Sequence, residues 1–143
     1  MTTVRLDDQL CFALHAASRA LTGAYREPLT RLGLTYPQYL VLMALWESDG
    51  PSVTELGLRL KLDSGTLSPL LKRMQVQGLV ERRPSAADER RVHVHLTAAG
   101  RELGDHAESV QQCLVETIDL DDSEFATLLT LARRVASLDH TSA

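Results

Sequence analysis

Apolar side chains recur every three or four residues along the first third of the chain, which is the spacing of one face of a helix. The first run predicts a helix that starts near residue 7, where Asp7 and Asp8 would cap or charge its N-terminus. Gly23, Pro28 and Gly33 interrupt the sequence beyond this run. They predict that a second, short helical piece follows the first helix.

A third helix is predicted after Thr35, which fits the N-cap position, with Pro37 in the first turn. Its segment, TYPQYLVLMALWES, is apolar on most of its circumference, so we expect this helix and its Trp46 to lie in the core. Ser52 and Glu55 then have the spacing of a capping box and open a helix of roughly two to three turns.

The next helix is predicted from Asp63 to Gly78, where a glycine suits the C-cap. Pro69 falls inside it and predicts a local bend. When the leucines of this helix pack inward, its outer face carries Ser64, Thr66, Ser68, Lys72 and Arg73. Two short helices joined by a tight turn, with hydroxyls and cations outside, suit a DNA-reading helix-turn-helix. An amphipathic helix pair without nucleic-acid function is the alternative.

Beyond this pair the apolar period changes from that of a helix to that of a strand. Residues 79–80 and 92–96 predict a β-hairpin, and RRPSAADERR between them forms a charged, turn-rich tip. Thr97 then caps a long helix whose apolar positions extend to Ile118, and a last helix begins around Asp121. The chain is therefore predicted to be mainly α with a small β-hairpin.

The composition fits one domain with an aliphatic core, since 44% of the 143 residues are hydrophobic and only 4% aromatic. Acids occupy the N-terminus where a secretory signal would be apolar, and the longest apolar run, 39–46, is too short to span a bilayer. We therefore expect a cytoplasmic protein that does not contact membranes. Cys11 and Cys113 are too far apart for a CxxC motif, so we expect free thiols.

The charge is unevenly distributed along the chain. The net charge is -4, yet residues 51–100 hold eight basic and five acidic residues and so carry +3. A basic centre between acidic flanks fits a segment that contacts nucleic acid, and a solvated charged surface is the alternative. Thirteen of the fifteen basic residues are arginine, which suits forked contacts to phosphate or base edges.

Cys11 lies about one turn into the first predicted helix, where backbone amides and the positive end of the helix dipole favour the thiolate. His15 lies four residues further and shares its face. An imidazolium there would favour the thiolate further, whereas a neutral imidazole could only hydrogen-bond it. These features predict a reactive thiol, and a small residue packed in the core is the alternative.

Several stretches of the chain resemble one known family. DSGTLSPLLKRM at 63–74 and GLVERRPSAADERRVHVHLT at 78–97 resemble the winged helix of the MarR family. LDDQLCFALHAASRA at 6–20 and LGLTYPQYLVLMALWE at 32–47 resemble its OhrR branch, which senses organic hydroperoxides, and the two cysteines match the two-cysteine class of that branch. The resemblance covers nearly the whole chain and implies a single domain over 1–143.

The resemblance implies a homodimeric repressor that binds an inverted repeat in double-stranded operator DNA. Residues 51–97 would form the winged helix-turn-helix, and 1–48 with 98–143 the dimerisation helices. Arg90 would enter the minor groove while Asp88 holds its guanidinium, and a surface ion pair of little energetic value is the alternative. The implied DNA-binding residues are Asp63, Ser64, Gly65, Thr66, Ser68, Pro69, Lys72, Arg73, Arg82, Arg83, Asp88, Arg90 and Arg91.

For the thiol, the resemblance implies that an organic hydroperoxide oxidises Cys11 to a sulfenic acid and so releases the DNA. Tyr25 and Tyr36 match the two tyrosines that hydrogen-bond the reactive sulfur in OhrR proteins. His15 stands where a tyrosine is often found. Cys113 resembles the resolving cysteine, which pairs with the reactive cysteine of the other subunit.

Two other functions compete with this interpretation. One is a repressor of the same family that a small aromatic or phenolic ligand releases without oxidation. The other is a thiol peroxidase, which nothing beyond the cysteines supports, so we predict that the protein is not an enzyme. His93 and His95 share a strand face and could recruit His106 or Cys113 to a metal, but their spacing matches no structural zinc set. We therefore predict no metal site and no cofactor.

Overall fold

The computed structural model describes residues 4–138. Short 3-10 turns lie at Leu6–Asp8 and Leu103–His106. The regular elements in chain order are α1 (Leu10–Arg31), α2 (Tyr36–Glu47), α3 (Val53–Leu60), α4 (Ser64–Val76), β1 (Val80–Pro84), β2 (Val92–Leu96), α5 (Ala98–Glu102), α6 (Ala107–Thr117) and α7 (Asp122–Ala136). The mainly α architecture with one β-hairpin is confirmed.

Side-chain caps begin the helices where the sequence predicts them. The Oγ1 of Thr35 accepts the backbone N–H of Gln38, and the Gln38 side chain accepts the N–H of Thr35 in return. Ser52 and Glu55 form the same reciprocal pair at the start of α3. Further side-chain caps are formed by Asp63, Thr97 and Asp121. Each cap satisfies a backbone N–H that has no partner within the helix.

The N-terminal helix differs from its prediction in both its start and its length. Asp7 and Asp8 lie in the preceding 3-10 turn, and Gln9 is the N-cap without a side-chain cap hydrogen bond. α1 then continues through Gly23, so the predicted break and the separate second helical piece are wrong. Pro28 lies in the last turn of α1, so its missing backbone N–H removes at most one helical hydrogen bond.

Tertiary packing explains the continuity of α1. Tyr25 and Leu29 on its inner face are buried, and the helix packs along both α2 and α6. A glycine within a helix costs only about 1 kcal/mol relative to alanine. Burial of a large apolar side chain contributes about 1.5 to 3 kcal/mol. Packing therefore outweighs the local helix-breaking tendency of Gly23.

The long helix predicted after Thr97 is also wrong, because the 3-10 turn Leu103–His106 separates α5 from α6. The indole Nε1 of Trp46 donates a hydrogen bond to the carbonyl oxygen of Gly100 at 2.9 Å. That carbonyl would otherwise accept the N–H four residues further along an uninterrupted helix. The Trp46 ring also lies against Gly104, where an added Cβ would be 3.3 Å from Nε1. The interruption is thus built around one tryptophan of α2.

The hairpin joins the helical part through its second strand. β1 and β2 are antiparallel, with Val80 opposite Leu96 and Pro84 opposite Val92. The loop between α2 and α3 runs beside β2, where the N–H of Val94 donates to the carbonyl of Pro51 at 2.9 Å. Apolar side chains of α4 and the hairpin meet in the core, so the hairpin cannot move independently of α4. The fully buried members of this contact are Leu71, Met74, Val80 and Val94.

A second set of apolar side chains remains exposed, and it lies on the terminal helices. No residue of α7 is buried, although this helix carries one apolar face. The exposed large apolar side chains of this region include Leu6, Leu10, Phe12, Val115, Leu120, Leu128, Leu129, Leu131 and Val135. Apolar surfaces of this extent mark contacts with another macromolecule. No helix within residues 4–138 has both the length and the hydropathy that a bilayer span requires.

Two glycine substitutions test this packing. In Gly100→Ala, the new Cβ would lie 2.2 Å from the carbonyl oxygen of Leu79, so α5 must shift away from the hairpin. We expect a loss of about 1 to 3 kcal/mol in the free energy of unfolding. Gly23→Ala is the matched control, because its Cβ meets nothing within 4 Å, and we expect a gain of up to about 1 kcal/mol.

The measurement is urea denaturation of the wild type and both variants at one protein concentration, so that any subunit association is held constant. Equal midpoints for Gly100→Ala and the wild type would contradict the close contact between α5 and Leu79.

Candidate nucleic-acid interface and thiol site

The polar face of α4 is open to solvent because its apolar face is anchored in the core. Leu67, Leu70, Leu71 and Met74 are buried. The predicted contact residues on this helix are all exposed: Ser64, Gly65, Thr66, Ser68, Pro69, Lys72 and Arg73. α4 continues from Ser64 to Val76 through Pro69. The structure thus presents a row of small hydroxyl and cationic side chains of the kind that enters a major groove.

Asp63 caps the N-terminus of this helix. Its Oδ1 accepts the backbone N–H of Thr66 at 2.7 Å, which makes it the N-cap of α4. Hydrogen bonds from the backbone and hydroxyl of Thr66, and from the backbone of Gly65, hold the pKa of the Asp63 carboxyl below its ordinary value. The ionised carboxylate therefore orients the first turn of α4.

The cations of the hairpin differ in their partners. The Arg83 guanidinium forms an ion pair with Glu81 at 2.6 Å, and Arg91 lies 3.9 Å from Glu55. Arg82 donates from Nε to the amide oxygen of Gln75 at 2.8 Å. Gln75, on the last turn of α4, was not among the residues predicted from the sequence.

The tip of the hairpin corrects one prediction about Asp88. Its Oδ1 accepts the backbone N–H of Arg90 at 3.0 Å, rather than holding the guanidinium of that residue. The N–H of Arg91 donates to the Asp88 carbonyl, also at 3.0 Å. Asp88 thus closes the turn, as an aspartate commonly does by bonding to the N–H two residues on. Among the ion pairs formed within residues 4–138, none involves Arg90.

Three tyrosines form a buried cluster between α1 and α2. The rings of Tyr25 and Tyr36 stack with centroids 5.3 Å apart, and Tyr39 lies 5.8 Å from Tyr25. Burial first, and then the neighbouring Tyr36 and Tyr39, raise the pKa of Tyr25 to about 12. Burial likewise raises the pKa of Tyr36, and burial with the nearby Tyr36 raises the pKa of Tyr39. The three hydroxyls therefore remain protonated at neutral pH and can act as hydrogen-bond donors.

The cluster includes residues that the sequence did not single out. Tyr25 Oη donates to the side-chain oxygen of Gln111 on α6 at 3.3 Å. Tyr39 could have been found by its spacing, since Tyr36 and Tyr39 lie three residues apart on one helix. Gln111 gave no such signal, because it lies 86 residues from Tyr25 along the chain.

The structure does not bring Cys11 to these tyrosines within one chain. Cys11 is the second residue of α1 and is exposed, as is His15 one turn further. Tyr25 lies fourteen residues along the same continuous helix, which corresponds to about 21 Å at 1.5 Å per residue. Cys113 is exposed on α6, two residues after Gln111. The two thiols therefore lie toward different ends of α1.

Two histidines of the hairpin contact the loop between α2 and α3. Nδ1 of His93 lies 2.9 Å from the carbonyl oxygen of Gly50. The ring of His95 lies against the same glycine, where a Cβ would be 2.9 Å from it. Within residues 4–138, no cluster of three His, Cys, Asp or Glu side chains could hold a metal ion.

Comparison with known proteins agrees with this geometry. The MarR family model matches residues 32–91. The chain is 49% identical over 104 residues to the organic hydroperoxide resistance transcriptional regulator of Bacillus subtilis, which covers 73% of this chain and 71% of that relative. The chain belongs to the MarR family. It is a winged-helix transcriptional regulator. In this architecture α4 occupies the position of the recognition helix and the β1–β2 hairpin that of the wing.

Two further proteins match over almost the full chain. The regulator TtmR of Methylorubrum extorquens is 49% identical over 135 residues, or 94% of this chain, which spans only 65% of the length of TtmR. Reduced AbfR bound to DNA has a TM-score of 0.78 at 32% identity, covering 92% of this chain and 90% of AbfR. A disulfide form of AbfR has a TM-score of 0.63 at 32% identity, covering 92% and 88%.

The cap of the recognition helix leads to a prediction about pH. Because the pKa of Asp63 is lowered on folding, its contribution to stability is present above the ordinary carboxyl pKa and is lost as the pH falls through the lowered value. We expect Asp63→Ala to be less stable than the wild type by a constant amount between about pH 5 and 8. In more acidic solution the difference should shrink.

Chemical denaturation at a series of pH values measures this difference. Asp63→Asn is the control, because its amide oxygen can still cap the helix but carries no charge. A gap between the wild type and Asp63→Ala that widened in acid would show that the cap has been misassigned.

Proposed function

We propose that the protein is a homodimeric repressor that releases operator DNA when an organic hydroperoxide oxidises Cys11, and that Cys113 resolves the oxidised sulfur. The proposal rests on the exposed thiol of Cys11 in the first turn of α1, in a chain 49% identical to a regulator of organic hydroperoxide resistance. In this role the protein acts in the cytoplasm. The thiol is oxidised as a signal and does not consume peroxide catalytically.

The DNA contacts follow from the placement of the recognition helix and the wing. α4 enters the major groove with the hydroxyls and cations of its exposed face. The wing tip reaches the neighbouring minor groove, and Arg90, which the ion pairs of residues 4–138 leave unpaired, supplies the cation there. Residues 51–97 thus read one half-site of an inverted repeat.

Dimerisation supplies the second half-site. Residues 1–48 and 98–143 carry the exposed apolar side chains of α1, α6 and α7, and a second copy of the chain would cover them. Two-fold symmetry then places two recognition helices on one face of the duplex. An inverted repeat is the DNA sequence whose symmetry matches that of such a two-fold dimer.

Dimerisation also assembles the thiol site. Tyr25 lies about 21 Å along α1 from Cys11 of the same chain, and Tyr36 of α2 stacks on Tyr25 with ring centroids 5.3 Å apart, so neither hydroxyl can hydrogen-bond that sulfur. The tyrosine hydroxyls that stabilise the thiolate therefore belong to the second copy, while His15 shares the helix face of Cys11 in its own chain. The sensor exists only in the dimer.

The chemistry follows in two balanced steps. The Cys11 thiolate attacks a peroxide oxygen, the S–O bond forms as the O–O bond breaks, and the alkoxide leaves as the alcohol after taking a proton. The Cys113 thiolate then attacks the sulfenic sulfur, and hydroxide leaves as water when the disulfide forms. The peroxide is reduced and the two thiols are oxidised.

The disulfide would change the DNA-binding geometry because its dimensions are strict. Its Cα atoms must lie about 4.4 to 6.8 Å apart. Since Cys113 lies two residues from Gln111, which bonds to Tyr25 in the second half of α1, a bridge to Cys11 of the same chain would cross much of that helix. The bridge instead links two subunits, and the shift of α1 against α6 alters the spacing of the two recognition helices.

A second candidate is a repressor of this family that a small aromatic or phenolic ligand releases. A cleft between α1 and α2 favours it, because Arg26 and Tyr36 there could bind a carboxylate and an aromatic ring. Release by such a ligand from both the wild type and Cys11→Ser would support this function. Sustained consumption of peroxide, beyond a few equivalents per subunit, would instead support a thiol peroxidase.

The sensor is tested by titrating the reduced protein with cumene hydroperoxide on a duplex that it selects from random DNA, and following release by anisotropy. We expect release by the wild type and retention by Cys11→Ser. Non-reducing mass analysis should show linked dimers in the wild type and unlinked, oxygenated chains in Cys113→Ser.

Mixed dimers distinguish a disulfide bridge between two subunits from a bridge within one chain. A Cys11→Ser chain paired with a Cys113→Ser chain retains one complete pair of cysteines between subunits and none within either chain. Linkage in this mixture therefore requires an intersubunit bridge. Tight DNA binding without any response to peroxide in the wild type would refute the sensor and leave the DNA-binding assignment standing.

The wing assignment is tested by Arg90→Ala. Loss of a hydrogen-bonded cation costs about 1.5 to 3 kcal/mol, so we expect affinity for the selected duplex to fall roughly tenfold or more. Arg31→Ala is the control, because Arg31 is also exposed but lies on α1 and pairs with Glu27 at 2.6 Å. Equal affinities of the wild type and Arg90→Ala, measured at one salt concentration, would show that the wing does not reach the DNA.

A further inference from the structure

The cleft between the recognition helix and the wing lies where the phosphate backbone of DNA would pass in a complex. A helix in the major groove and a wing in the adjacent minor groove are separated by the phosphate backbone that divides the two grooves. That backbone must therefore pass between α4 and the hairpin. The structure has a cleft there, lined by side chains that suit a phosphate: Ser52, Thr54, Ser68, Arg82, Arg90 and Arg91.

The three arginines of this cleft are not equivalent. Arg91 lies 3.9 Å from the carboxylate of Glu55, which offsets part of its charge. Arg90 follows the turn at the hairpin tip and is the cation proposed above for the minor groove. Arg82 lies on β1, next to the last turn of α4, so it is at the base of the cleft. Arg82 is thus the cation closest to the point where helix and wing meet.

The partner of Arg82 is a neutral side chain. Gln75 accepts a hydrogen bond from the Nε of Arg82 at 2.8 Å, which fixes the direction of the guanidinium. A carboxylate at the same place would fix it equally well but would cancel its charge, as Glu81 does for Arg83 at 2.6 Å. The amide therefore orders the arginine while its positive charge and its terminal N–H groups remain available to an anion.

We propose that the cleft between α4 and the wing seats one backbone phosphate of the operator, that Arg82 binds this phosphate, and that Gln75 is the positioning residue that aims Arg82. The proposal rests on the DNA-binding role described above and adds a specific phosphate subsite to it. Arg82 thus contributes affinity and salt dependence, whereas base recognition belongs to the exposed face of α4.

The salt dependence of DNA binding distinguishes loss of the Arg82 charge from loss of its orientation by Gln75. On the duplex selected by the wild-type protein, we expect Arg82→Gln to reduce the slope of log affinity against log salt by about 0.9, which is the contribution of one phosphate contact. Gln75→Leu should lower affinity about three- to tenfold with little change in the slope, because the cation is retained but no longer aimed. Gln75→Glu should lower both the affinity and the slope, because the new carboxylate neutralises Arg82.

Gln9→Glu is the charge control. It adds the same carboxylate at the exposed N-cap of α1, outside residues 51–97. We expect it to leave the slope unchanged. In the Arg82→Gln background, Gln75→Leu should have no further effect. An equal effect of Gln75→Leu with and without Arg82 would overturn the proposal, because Gln75 would then contact the DNA itself.

A duplex with single neutral methylphosphonates locates the phosphate. One position in each half-site should weaken binding of the wild type but not of Arg82→Gln, and loss of affinity at every position equally in both proteins would overturn the assignment. If the wild type selects no duplex at all, the proposed function fails and this inference fails with it. If the wild type binds DNA but these patterns are absent, only the phosphate subsite is wrong.

Discussion

The contact between the recognition helix and the wing sets the geometry of the DNA-reading half. Leu71 and Met74 of α4 and Val80 and Val94 of the hairpin are each at most 1% exposed. Burial of such side chains contributes about 1.5 to 3 kcal/mol each, which is large against the stability of a small domain. α4 and the base of the hairpin therefore pack as one unit. The main chain of the α2–α3 loop extends this unit by bonding to β2.

Charge in this half is controlled by what each arginine is paired with. The protein as a whole is acidic, so affinity for a polyanion depends on cations that remain available locally. Glutamates reduce the charge of Arg83 and Arg91, whereas a neutral amide orders Arg82. The wing thus combines rigidity with a small number of effective cations. Such an arrangement limits nonspecific attraction to DNA while retaining the contacts that a particular backbone path can use.

The continuous α1 helix separates Cys11 from the tyrosine cluster. It carries Cys11 in its first turn and Tyr25 about 21 Å further along, so no bend brings the two together. Tyr25 is in turn fastened to Gln111 of α6, close to Cys113. Under the proposed function, thiol chemistry that involves all of these groups crosses from one subunit to the other. Oxidation would then act on the helices that hold the proposed dimer.

Local rules of sequence determined much of this protein. The caps formed by Thr35, Ser52, Asp63 and Asp121, the outward face of α4 and the hairpin depend on interactions between residues only a few positions apart. Such interactions can be identified in the sequence because the required residue types occur at fixed spacings. Family resemblance added the candidate roles of Cys11 and Cys113, which stay predictions.

Contacts between distant segments decided the rest. α1 passes through Gly23 because its buried face packs on α2 and α6, and the helix after Thr97 breaks because the Gly100 carbonyl bonds to Trp46, 54 residues away. The hydrogen bond between Tyr25 and Gln111 spans 86 residues. Gln75 meets Arg82 only seven residues on, yet this pair depends on the hairpin folding back along α4. Each of these contacts depends on the three-dimensional path of the chain, which local propensity and spacing do not encode.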